Sequence, residues 1–543
     1  MTQVSYAKGP DTPEIVNKTL GDLLKEAAME VPDRTAMIFG HAELDRRHEW
    51  TYAEMYRDAS LVARAIASRF KPGERVAIWS QNTPQWVLVE FGAAMAGVIL
   101  VTVNPSYQGE ELTYVLNQSK SAGIFVSPEY RGNKMMETLL RVKGECPALR
   151  EIVSFAEWQQ FLDSADESAE LPEVKAADPC MIQYTSGTTG FPKGALLHHR
   201  GLVNNGYHTN NRAQVNAGDI MLTMMPLFHT GGCVLCVLGA VSHRATQVIV
   251  ETFEPGLVLD LIDSYKVNAM NSVPTMLVAL LEHPNFTERD TSSVRSLISG
   301  GSTVPAALVE KFEETLGAAF TIVFGQTECS PVASMVRSDD LAIDKATTLG
   351  GPMPHVEVKI IDPDTGHTLA IGEKGEYCTR GYHVMHEYFE MPEATAETID
   401  QDGWLHTGDI CSMDERGYCK VEGRLKDMII RGGENIYPRE IEELLFQHPK
   451  IGEVAVVGLP DERLGEVVGA FIRSAPGETP DREELFAYLR EHASPQKTPK
   501  HWFLMDEFPL TGSGKIQKFV LREQWLAGKF EEMHAQPDNK YSA

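Results

Sequence analysis

Short apolar, β-branched segments alternate with segments of helical periodicity along most of the chain. Apolar positions three and four residues apart predict amphipathic helices over residues 14–30 and 52–69. The intervening runs have the composition of buried strands, and they cover residues 75–80, 97–103, 121–127, 247–250 and 318–324. Strands that alternate with helices favour mainly parallel sheets covered on both faces. The sequence therefore predicts an α/β protein.

Two changes in pattern divide the chain. Residues 163–178 are acidic and rich in Ala, Pro and Ser, which is typical of a surface connector. A second boundary is expected near residue 424. Beyond it the pattern predicts two helices and two strands: helix 440–446, strand 453–457, strand 469–472 and helix 483–490. This order indicates a compact α+β unit of about 120 residues, well within the usual size of a domain.

Charge and length limit the class of protein. The chain has 543 residues, and 49 Lys and Arg stand against 76 Asp and Glu, a net charge of −27. A nucleic-acid-binding protein would carry a basic footprint, so that class is excluded. The length suggests three or four units of about 150 residues. Any anionic ligand must be held by local positive groups against the mean field of the protein.

Neither a secretory signal nor a membrane segment is predicted. Residues 1–13 are polar, and the longest apolar stretches, 91–103 and 231–241, fall short of the ~20 residues of a spanning helix. A soluble, cytoplasmic protein is expected. Eight cysteines are too sparse for a disulfide framework. Cys233 and Cys236 form a C-x-x-C pair without a second pair at zinc-finger spacing, so buried apolar thiols and no metal site are predicted.

One segment predicts phosphate binding. It follows a short apolar run and reads Tyr184-Thr-Ser-Gly-Thr-Thr-Gly-Phe-Pro-Lys-Gly-Ala195, with four Ser or Thr, three Gly and one Lys between Thr185 and Gly194. Glycine lets backbone N–H groups approach phosphate oxygens, hydroxyls donate further bonds, and Lys193 supplies charge. No G-K-[ST] triplet is present, so this is not a Walker A loop. A Gly- and Ser-rich surface turn is the alternative.

Similar clusters of Gly, Ser, Thr and charged residues recur in a fixed order. They lie at residues 226–232, 299–302, 324–328, 403–409, 423–427, 431–434 and 510–515. Turn chemistry alone does not explain this recurrence. The ordered series resembles the adenylate-forming (ANL, AMP-binding) superfamily, which contains acyl-CoA synthetases, firefly luciferase and peptide-synthetase adenylation domains. The segment Arg424-Leu-Lys-Asp-Met-Ile-Ile-Arg-Gly-Gly-Glu-Asn-Ile-Tyr-Pro438 is most similar to medium-chain fatty acyl-CoA synthetases.

The resemblance implies both a fold and a reaction. The fold is a large N-terminal domain of αβαβα layered sheets with a distorted β subdomain over residues 1–423. A hinge at residues 424–427 and a small mobile α+β C-terminal lid domain over residues 428–543 would complete it. The implied reaction is that of an acid:CoA ligase. A carboxylic acid and ATP give acyl-AMP and pyrophosphate, and CoA then gives acyl-CoA and AMP after the C-terminal domain rotates.

Four residues take catalytic roles under this resemblance: Lys515, Thr185, Glu328 and His229. Lys515 would contact the substrate carboxylate and the α-phosphate, where positive charge must meet two approaching anions. Glu328 would associate with Mg²⁺, which one or two carboxylates and the substrate phosphates suffice to hold. His229 stands where amino-acid-activating relatives carry an Asp for the substrate amine. Its presence favours a simple carboxylic acid, since a buried ammonium group would lack a counter-ion.

The same resemblance implies ATP, Mg²⁺ and coenzyme A as ligands and assigns their binding residues. Those around the phosphates are Thr185, Ser186, Gly187, Thr188, Thr189, Gly190 and Lys193. Those around the base and its neighbouring loop are Gly301, Ser302, Phe324, Gly325, Gln326 and Thr327, with Phe324 flanking the adenine. Those at the ribose, the hinge and the pantetheine tunnel are Asp409, Arg424, Lys426, Arg431, Gly432 and Gly433, with Lys426 as the hinge.

Several alternatives stay open at this level. The adenylate could be loaded onto a separate carrier protein, oxidised as in luciferase, or bound by an ATP-sensing pseudoenzyme. Small residues at Gly231, Gly232 and Cys233 suggest room for an alkyl, branched or ring-bearing acid, a medium-chain fatty acid or similar. Chain length cannot be inferred from a few side chains. A homodimer is possible, since that is the commonest oligomer.

Overall fold

The computed structural model describes residues 4–166, 168–185, 192–300, 304, 306–432, 434–510 and 516–533. Within these ranges the chain forms four β-sheets with helices packed on them. Strands of the first three sheets end at Arg424, and strands of the fourth begin at Ile429. The α/β prediction is thus confirmed, with a large N-terminal part and a smaller C-terminal one.

The elements are numbered in chain order. The strands are β1 (Tyr6–Lys8), β2 (Thr35–Gly40), β3 (His48–Thr51), β4 (Arg75–Trp79), β5 (Ile99–Val103), β6 (Gly123–Val126), β7 (Glu151–Ser154), β8 (Pro179–Tyr184), β9 (Gly194–His198), β10 (Ile220–Thr223), β11 (Thr246–Val250), β12 (Ala269–Ser272), β13 (Ser296–Gly300), β14 (Ala319–Gly325), β15 (Val332–Met335), β16 (Gly351–Pro352), β17 (Glu357–Ile361), β18 (Gly375–Arg380), β19 (Glu387–Tyr388), β20 (Leu405–Met413), β21 (Cys419–Arg424), β22 (Ile429–Arg431), β23 (Glu434–Ile436), β24 (Ile451–Asp461), β25 (Gly465–Ser474) and β26 (His501–Leu504).

The α-helices are α1 (Leu20–Glu30), α2 (Tyr52–Ala67), α3 (Pro84–Met95), α4 (Gly109–Gln118), α5 (Met135–Val142), α6 (Trp158–Leu162), α7 (His199–Arg212), α8 (Gly239–Ser242), α9 (Pro255–Tyr265), α10 (Pro274–Leu281), α11 (Ala306–Leu316), α12 (Ala342–Thr347), α13 (Pro392–Thr398), α14 (Pro438–Phe446), α15 (Arg482–His492) and α16 (Lys518–Leu526). A π-helix, Gly231–Leu238, directly precedes α8. In the described part of the chain, no helix has the length and apolar character needed to span a bilayer.

Two large sheets contain the parallel strands. The seven-stranded sheet has the order β19-β9-β8-β5-β4-β6-β7, in which β8, β5, β4, β6 and β7 are parallel and β9 and β19 antiparallel. The nine-stranded sheet has the order β16-β15-β14-β13-β12-β10-β11-β2-β3, and its six central strands from β14 to β2 are parallel. The five N-terminal strands predicted from sequence are β4, β5, β6, β11 and β14.

The other two sheets are smaller. Five antiparallel strands in the order β1-β17-β18-β20-β21 form the β subdomain. The C-terminal sheet has the order β23-β22-β25-β24, and β26 pairs with β25. The predicted C-terminal helices and strands are present as α14, β24, β25 and α15. Both strands extend beyond the predicted ranges 453–457 and 469–472.

The first helix is shorter than predicted. Periodicity indicates a helix from residue 14, but α1 begins at Leu20. Thr19 caps it, because its side chain accepts from the backbone N–H of Asp22 while the carboxylate of Asp22 accepts from the N–H of Thr19. Upstream, both backbone polar groups of Val16 bond to the Asn204 side chain at 2.7 Å. These competing bonds hold the preceding residues out of the helix.

Helices α2 and α3 pack closely on the core. The apolar stripe of α2 is buried, and a Cβ at Gly92 of α3 would approach Val62 of α2 to 2.5 Å. A side chain at position 92 would therefore push the two helices apart. All eight cysteines are free and buried, which confirms the prediction of buried thiols at Cys233 and Cys236. These two cysteines lie in the π-helix. The predicted connector 163–178 contains no helix or strand among its described residues.

Glu90 is a buried acid in α3 without a hydrogen-bond partner among the described residues. Burial raises its pKa well above the ordinary value of 4.5. The unfolded chain releases this proton near pH 4.5, but the folded chain keeps it. The free energy of unfolding therefore falls as the pH rises above the pKa of Glu90 in the unfolded chain, and it stops falling once the pH passes the pKa in the folded chain.

We expect Glu90→Gln, which stays neutral, to remove this loss. Its advantage in unfolding free energy over the wild type should grow by at least about 1 kcal/mol between about pH 5 and about pH 8. Thermal unfolding at a series of pH values measures it. Glu110→Gln, an exposed change on α4, is the matched control. A constant difference across pH would contradict the assignment.

Candidate active site

The phosphate-binding segment lies between two antiparallel strands. Tyr184 at the end of β8 pairs with Gly194 at the start of β9. Thr185 closes the hairpin, since its backbone N–H donates to the carbonyl of Lys193 at 3.0 Å. The Tyr114 hydroxyl donates to the Pro192 carbonyl at 2.8 Å. Both ends of the segment are thus anchored to the seven-stranded sheet and to α4.

Tyr388 joins the phosphate-binding segment to Glu328. Lys193 Nζ lies 4.8 Å from the centroid of the Tyr388 ring, a cation–π contact. The Tyr388 hydroxyl donates to Glu328 Oε1 at 2.5 Å. Burial and the charge of Glu328 raise the pKa of Tyr388, so this hydroxyl keeps its proton. Glu328 itself is buried, in a 3₁₀ turn, Thr327–Cys329, that follows β14.

Phe324 near the end of β14 presents an aromatic face at the same edge. Its ring meets the Tyr377 ring edge-on, with centroids 5.1 Å apart. The Tyr377 hydroxyl is hydrogen-bonded to Ser334 at 2.7 Å, which fixes that ring in turn. Gly325 follows, and a Cβ there would come within 1.9 Å of the Pro331 carbonyl oxygen. This strand end therefore accepts no side chain at position 325.

Asp409 and Arg424 form an ion pair across two strands. They are register partners on β20 and β21, and Arg424 Nε donates to Asp409 Oδ1 at 2.9 Å. Asp409 is only 5% exposed, so its carboxylate depends on such donors. The charge of Asp409 raises the pKa of Arg424, and Glu328 contributes in the same direction. The ion pair and the Glu328 carboxylate thus share one electrostatic environment.

A second carboxylate supports the turn that carries Asp409. Glu376 on β18 accepts from the Gly408 N–H at 3.0 Å and lies 2.8 Å from Nδ1 of His406. This contact raises the pKa of His406 and favours its protonated, donating form. Glu376, Cys378 and His406 bring three possible metal ligands within 4.8 Å, but the carboxylate is already engaged by the turn. We therefore assign Glu376 to the support of this turn.

Lys426 lies beyond Arg424, in a 3₁₀ turn, Leu425–Asp427, between the third and fourth sheets. Its side chain reaches solvent, but partial burial of the ammonium group and the charge of Arg424 lower the pKa of Lys426. The charges of Asp409 and Glu328 act in the opposite direction. Lys426 is therefore within electrostatic range of both carboxylates.

Arg431 and Gly432 lie within the C-terminal part of the structure. The Arg431 guanidinium donates to the Gln496 carbonyl, and the Gly432 N–H donates to the Leu464 carbonyl at 2.8 Å. The hydrogen bonds described for these two residues thus bind them to C-terminal partners. Gly432 has φ +61°, which favours glycine. None of these hydrogen bonds reaches Asp409.

His229 lies in the turn between β10 and the π-helix. Its side chain is exposed, and its Nδ1 accepts from the Gly231 N–H at 3.1 Å. The ring therefore stands at the entrance of the π-helix. A Cβ at Gly231 would lie 3.3 Å from that ring and 3.4 Å from Met225. A larger side chain at position 231 would therefore press against both residues.

Several predicted site residues lie outside the described residues. They are Ser186, Gly187, Thr188, Thr189, Gly190, Gly301, Ser302, Gly433 and Lys515. Among the described ones, Thr185 bonds to Lys193, Lys193 is joined to Glu328 through Tyr388, and Arg424 pairs with Asp409. Arg424 and Lys426 lie within electrostatic range of Glu328, and Phe324, Gly325, Gln326 and Thr327 precede Glu328 in the chain. His229 lies at the entrance of the π-helix, and Arg431 and Gly432 bond to C-terminal partners.

Sequence reasoning missed two residues of this group. Tyr388 stands on a two-residue strand without a Gly-rich or charged motif around it, so its role follows only from the contact with Glu328. Glu376 lies 33 positions before Asp409 in the chain and reaches its turn because β18 and β20 are paired. The sequence signal for Glu376 is its charge within a strand, β18, whose residues are nearly all buried. A buried charge of this kind indicates a specific partner.

Comparison with known proteins defines the class. A family profile described as AMP-binding enzyme matches residues 24–389, and one described as AMP-binding enzyme C-terminal domain matches residues 440–515. The chain therefore belongs to the AMP-binding enzyme family. The predictions of an adenylate-forming enzyme and of an acyl-CoA synthetase are confirmed.

Individual relatives cover nearly the whole chain. YngI of Bacillus subtilis (strain 168), named as an acyl-CoA synthetase, is 39% identical over 542 residues, 94% of this chain and 98% of its own. The mitochondrial medium-chain acyl-CoA ligase ACSF2 of Rattus norvegicus is 36% identical over 558 residues, 96% of this chain and 90% of its own.

A solved structure shows the same architecture. ATP-bound MatB from Rhodopseudomonas palustris is 27% identical, with a TM-score of 0.86 over 95% of this chain and 100% of its own. Its apo form, over the same shares, gives a TM-score of 0.76. The arrangement of the present chain is thus more similar to the ATP-bound form.

We expect Tyr388→Phe to impair the use of Mg·ATP. The ring would remain beneath Lys193, but the Glu328 carboxylate would lose the donor that orients it. The KM for Mg·ATP should rise about tenfold, the effect of one hydrogen bond to a charged group. Steady-state kinetics at varied Mg·ATP measure it.

Tyr382→Phe provides the control for this change. It also deletes a buried hydroxyl, but one with no partner among the described residues. Its KM for Mg·ATP should match that of the wild type. Equal behaviour of the two variants would refute a positioning role for Tyr388.

Proposed function

We propose that the protein is an ATP-dependent acid:CoA ligase for a hydrophobic carboxylic acid, a medium-chain fatty acid or a similar compound. It would form acyl-AMP with release of pyrophosphate, and then acyl-CoA with release of AMP. The small-molecule acid, ATP and CoA are its expected partners. The medium-chain ligase ACSF2 among its relatives supports this class of acid.

One observation carries the proposal. Contacts join Lys193, Tyr388 and Glu328, and the Asp409–Arg424 ion pair lies within electrostatic range of Glu328, near ends of strands from three sheets. Open α/β sheets bind ligands at the carboxyl ends of their strands. A nucleotide bound there would place its phosphates at Lys193, its ribose at Asp409 and its base at Phe324.

The electrostatics suit adenylation. The reaction brings a carboxylate to an α-phosphate, so the developing negative charge needs fixed positive partners. Lys193 and Arg424 are already held in place, by Tyr388 and Asp409 respectively. Lys515, from the C-terminal lid, would complete the set at the reacting atoms. Asp409 would accept from the ribose hydroxyls, and Arg424 Nε orients its carboxylate through Oδ1.

The donor set near Glu328 fits Mg²⁺. A buried carboxylate, oriented by a neutral hydroxyl and next to the phosphate-binding segment, offers the oxygen ligand that Mg²⁺ prefers. Bound there with the ATP phosphates, Mg²⁺ would neutralise part of their charge. Glu328 would hold the ion, and Tyr388 would keep the carboxylate in place.

Two alternating lids would serve the two half-reactions. We place the N-terminal AMP-binding and acyl-substrate domain at residues 1–423, the hinge at 424–427 and the C-terminal lid domain at 428–543. Similarity to ATP-bound MatB and the bond of Arg431 to Gln496, within the C-terminal part, support an adenylation arrangement. Rotation about Lys426 would remove Lys515 and bring Arg431, Gly432 and Gly433 to the pantetheine path. Hinges are a few residues at element ends, as here.

Location and assembly stay predictions. A cytoplasmic protein is expected from the sequence, although the ACSF2 relative is described as mitochondrial. A homodimer is expected only as the common default.

The proposal is tested by measuring AMP release from the purified protein with ATP, Mg²⁺ and a panel of carboxylic acids, with and without CoA. We expect CoA-dependent AMP release and an acyl-CoA product that mass spectrometry identifies. AMP release that needs an acyl-carrier protein instead of CoA would favour carrier loading. Failure of every acid to support AMP formation would refute the proposed function.

The two lids predict opposite mutant phenotypes. Lys515→Ala should lower adenylation by at least about 100-fold, because it removes a charge from the transition state, but spare thioester formation from supplied acyl-AMP. Lys426→Pro should do the reverse, because proline restricts the hinge. Pyrophosphate release and acyl-CoA formation are measured separately.

Two controls accompany these variants. Lys529→Ala removes an exposed lysine of the same C-terminal part, and Lys426→Ala removes the charge without restricting the backbone. Both should retain both half-reactions. Equal loss of the two half-reactions in Lys515→Ala would refute its assignment, and normal thioester formation in Lys426→Pro would refute rotation about residue 426.

A further inference from the structure

Two neighbouring strands of the nine-stranded sheet carry buried polar side chains beneath the π-helix. Thr223, the last residue of β10, and Asn271, on β12, are register partners, so they point to the same face of the sheet. Thr223 is completely buried and Asn271 is 3% exposed. Neither the Thr223 hydroxyl nor either polar atom of the Asn271 amide has an oxygen or nitrogen hydrogen-bond partner among the described residues. We refer to Thr223 and Asn271 as the polar pair.

A third unpartnered group extends this face. Gln247 on β11 is a register partner of Met221, two residues before Thr223, and therefore points the same way. It is completely buried, and both atoms of its amide lack partners among the described residues. Met221 packs against Ala240 of α8, so this face is the one that the π-helix and α8 cover. Three polar side chains thus lie on the face that the π-helix and α8 cover.

A thiol adjoins the polar pair. Cys236 of the π-helix lies close enough to Thr223 and Asn271 for the hydroxyl and the amide N–H to donate weakly to its sulfur, while burial raises the pKa of Cys236 to about 12. Its S–H is directed at the Gly231 carbonyl at 3.3 Å. The sulfur can then offer only a weak acceptor. The acceptor oxygen of Asn271 is left without a donor from this residue.

The π-helix connects the polar pair with the predicted wall of the acyl site. Thr223 and Asn271 lie at the carboxyl ends of their strands, as Phe324 does two strands further along the sheet. The π-helix begins just after His229, the predicted wall of the acyl site, and Cys236 contacts its first residue, Gly231. One π-helical turn therefore separates that wall from the polar pair. π-Helical turns occur frequently at functional sites.

These unpartnered groups are costly. Each buried polar group left without a hydrogen bond destabilises a protein by about 1–3 kcal/mol. Most buried polar atoms in native proteins do have partners, so adjacent exceptions call for a ligand or an ordered water. A hydroxyl is the simplest group that both donates to the Asn271 oxygen and accepts from the Asn271 amide or from Thr223.

We infer that the acid activated by this enzyme carries a hydroxyl group on its otherwise apolar chain, and that Asn271 and Thr223 bind this hydroxyl. The inference rests on the proposed function and narrows its substrate to hydroxy acids. A site built to hydrogen-bond a substrate hydroxyl discriminates strongly against the analogue without it, because its own polar groups then stay unpaired.

The test compares straight-chain acids with their hydroxylated counterparts, the hydroxyl being moved along the chain one position at a time. CoA-dependent AMP release gives kcat/KM for each acid. We expect one position of the hydroxyl to exceed its unsubstituted parent by at least about tenfold. Asn271→Leu and Thr223→Val should each abolish this preference, chiefly by lowering kcat/KM for the hydroxy acid while the parent acid is retained.

Thr498→Val is the matched control for Thr223→Val. It removes a buried, unpartnered hydroxyl from the C-terminal part of the chain, and it should leave the preference unchanged. Thermal unfolding supplies a second readout. Without ligand, Asn271→Leu and Thr223→Val should melt no lower than the wild type, because each removes an unpaired polar group; a structural role would lower the Tm.

The outcomes separate the inference from the proposed function. Parent acids that equal or exceed their hydroxylated forms would overturn the inference and leave the ligase function intact. A preference that survives Asn271→Leu and Thr223→Val would also overturn it, since other groups would then bind the hydroxyl. Failure of both series, together with all other acids, would refute the ligase function itself.

Discussion

The hydrogen bond between Tyr388 and Glu328 connects parts of the molecule that the chain builds separately. Tyr388 belongs to the edge of the seven-stranded sheet, whereas Glu328 follows a strand of the nine-stranded sheet. The Tyr388 ring also lies beneath Lys193, at the end of the phosphate-binding segment. The position of a carboxylate relative to a cation is therefore set by one side chain. If the two sheets shifted against each other, the Tyr388–Glu328 bond would be lost, while Lys193 and Tyr388 would move together in one sheet.

The charge of the chain makes such local contacts necessary. A protein of net charge −27 repels polyanions at a distance, so affinity for ATP and CoA must come from a few fixed cations. Arg424 shows how one is fixed, since it is paired with Asp409 on the adjacent strand. Such a pair costs desolvation, but it keeps the guanidinium oriented before the ligand arrives. Preorganised charge stabilises a transition state more effectively than charge that must first move.

The sequence predicted the fold class and most of the motifs, because strand composition and Gly-rich segments are local properties. Its errors and omissions came from long-range contacts. Helix α1 begins late because Asn204, far along the chain, binds Val16. Glu376 supports the Asp409 turn only because β18 pairs with β20. Tyr388 carries no signal in its own segment. No local pattern could have supplied these three contacts, since each depends on how sheets pair or pack.

The two kinds of unpartnered buried group in this protein call for different explanations. Glu90 lies within α3, and protonation removes its charge. Its burial therefore lowers the free energy of unfolding by an amount that depends on pH. Protonation cannot reduce the energetic penalty of burying Thr223 and Asn271, because neither side chain titrates. They also lie at strand ends, where this fold places its ligands, and beneath a π-helix that leads to the proposed acyl site. One bound hydroxyl could form hydrogen bonds with both Thr223 and Asn271. Substrate binding therefore explains the polar pair, whereas protonation explains Glu90.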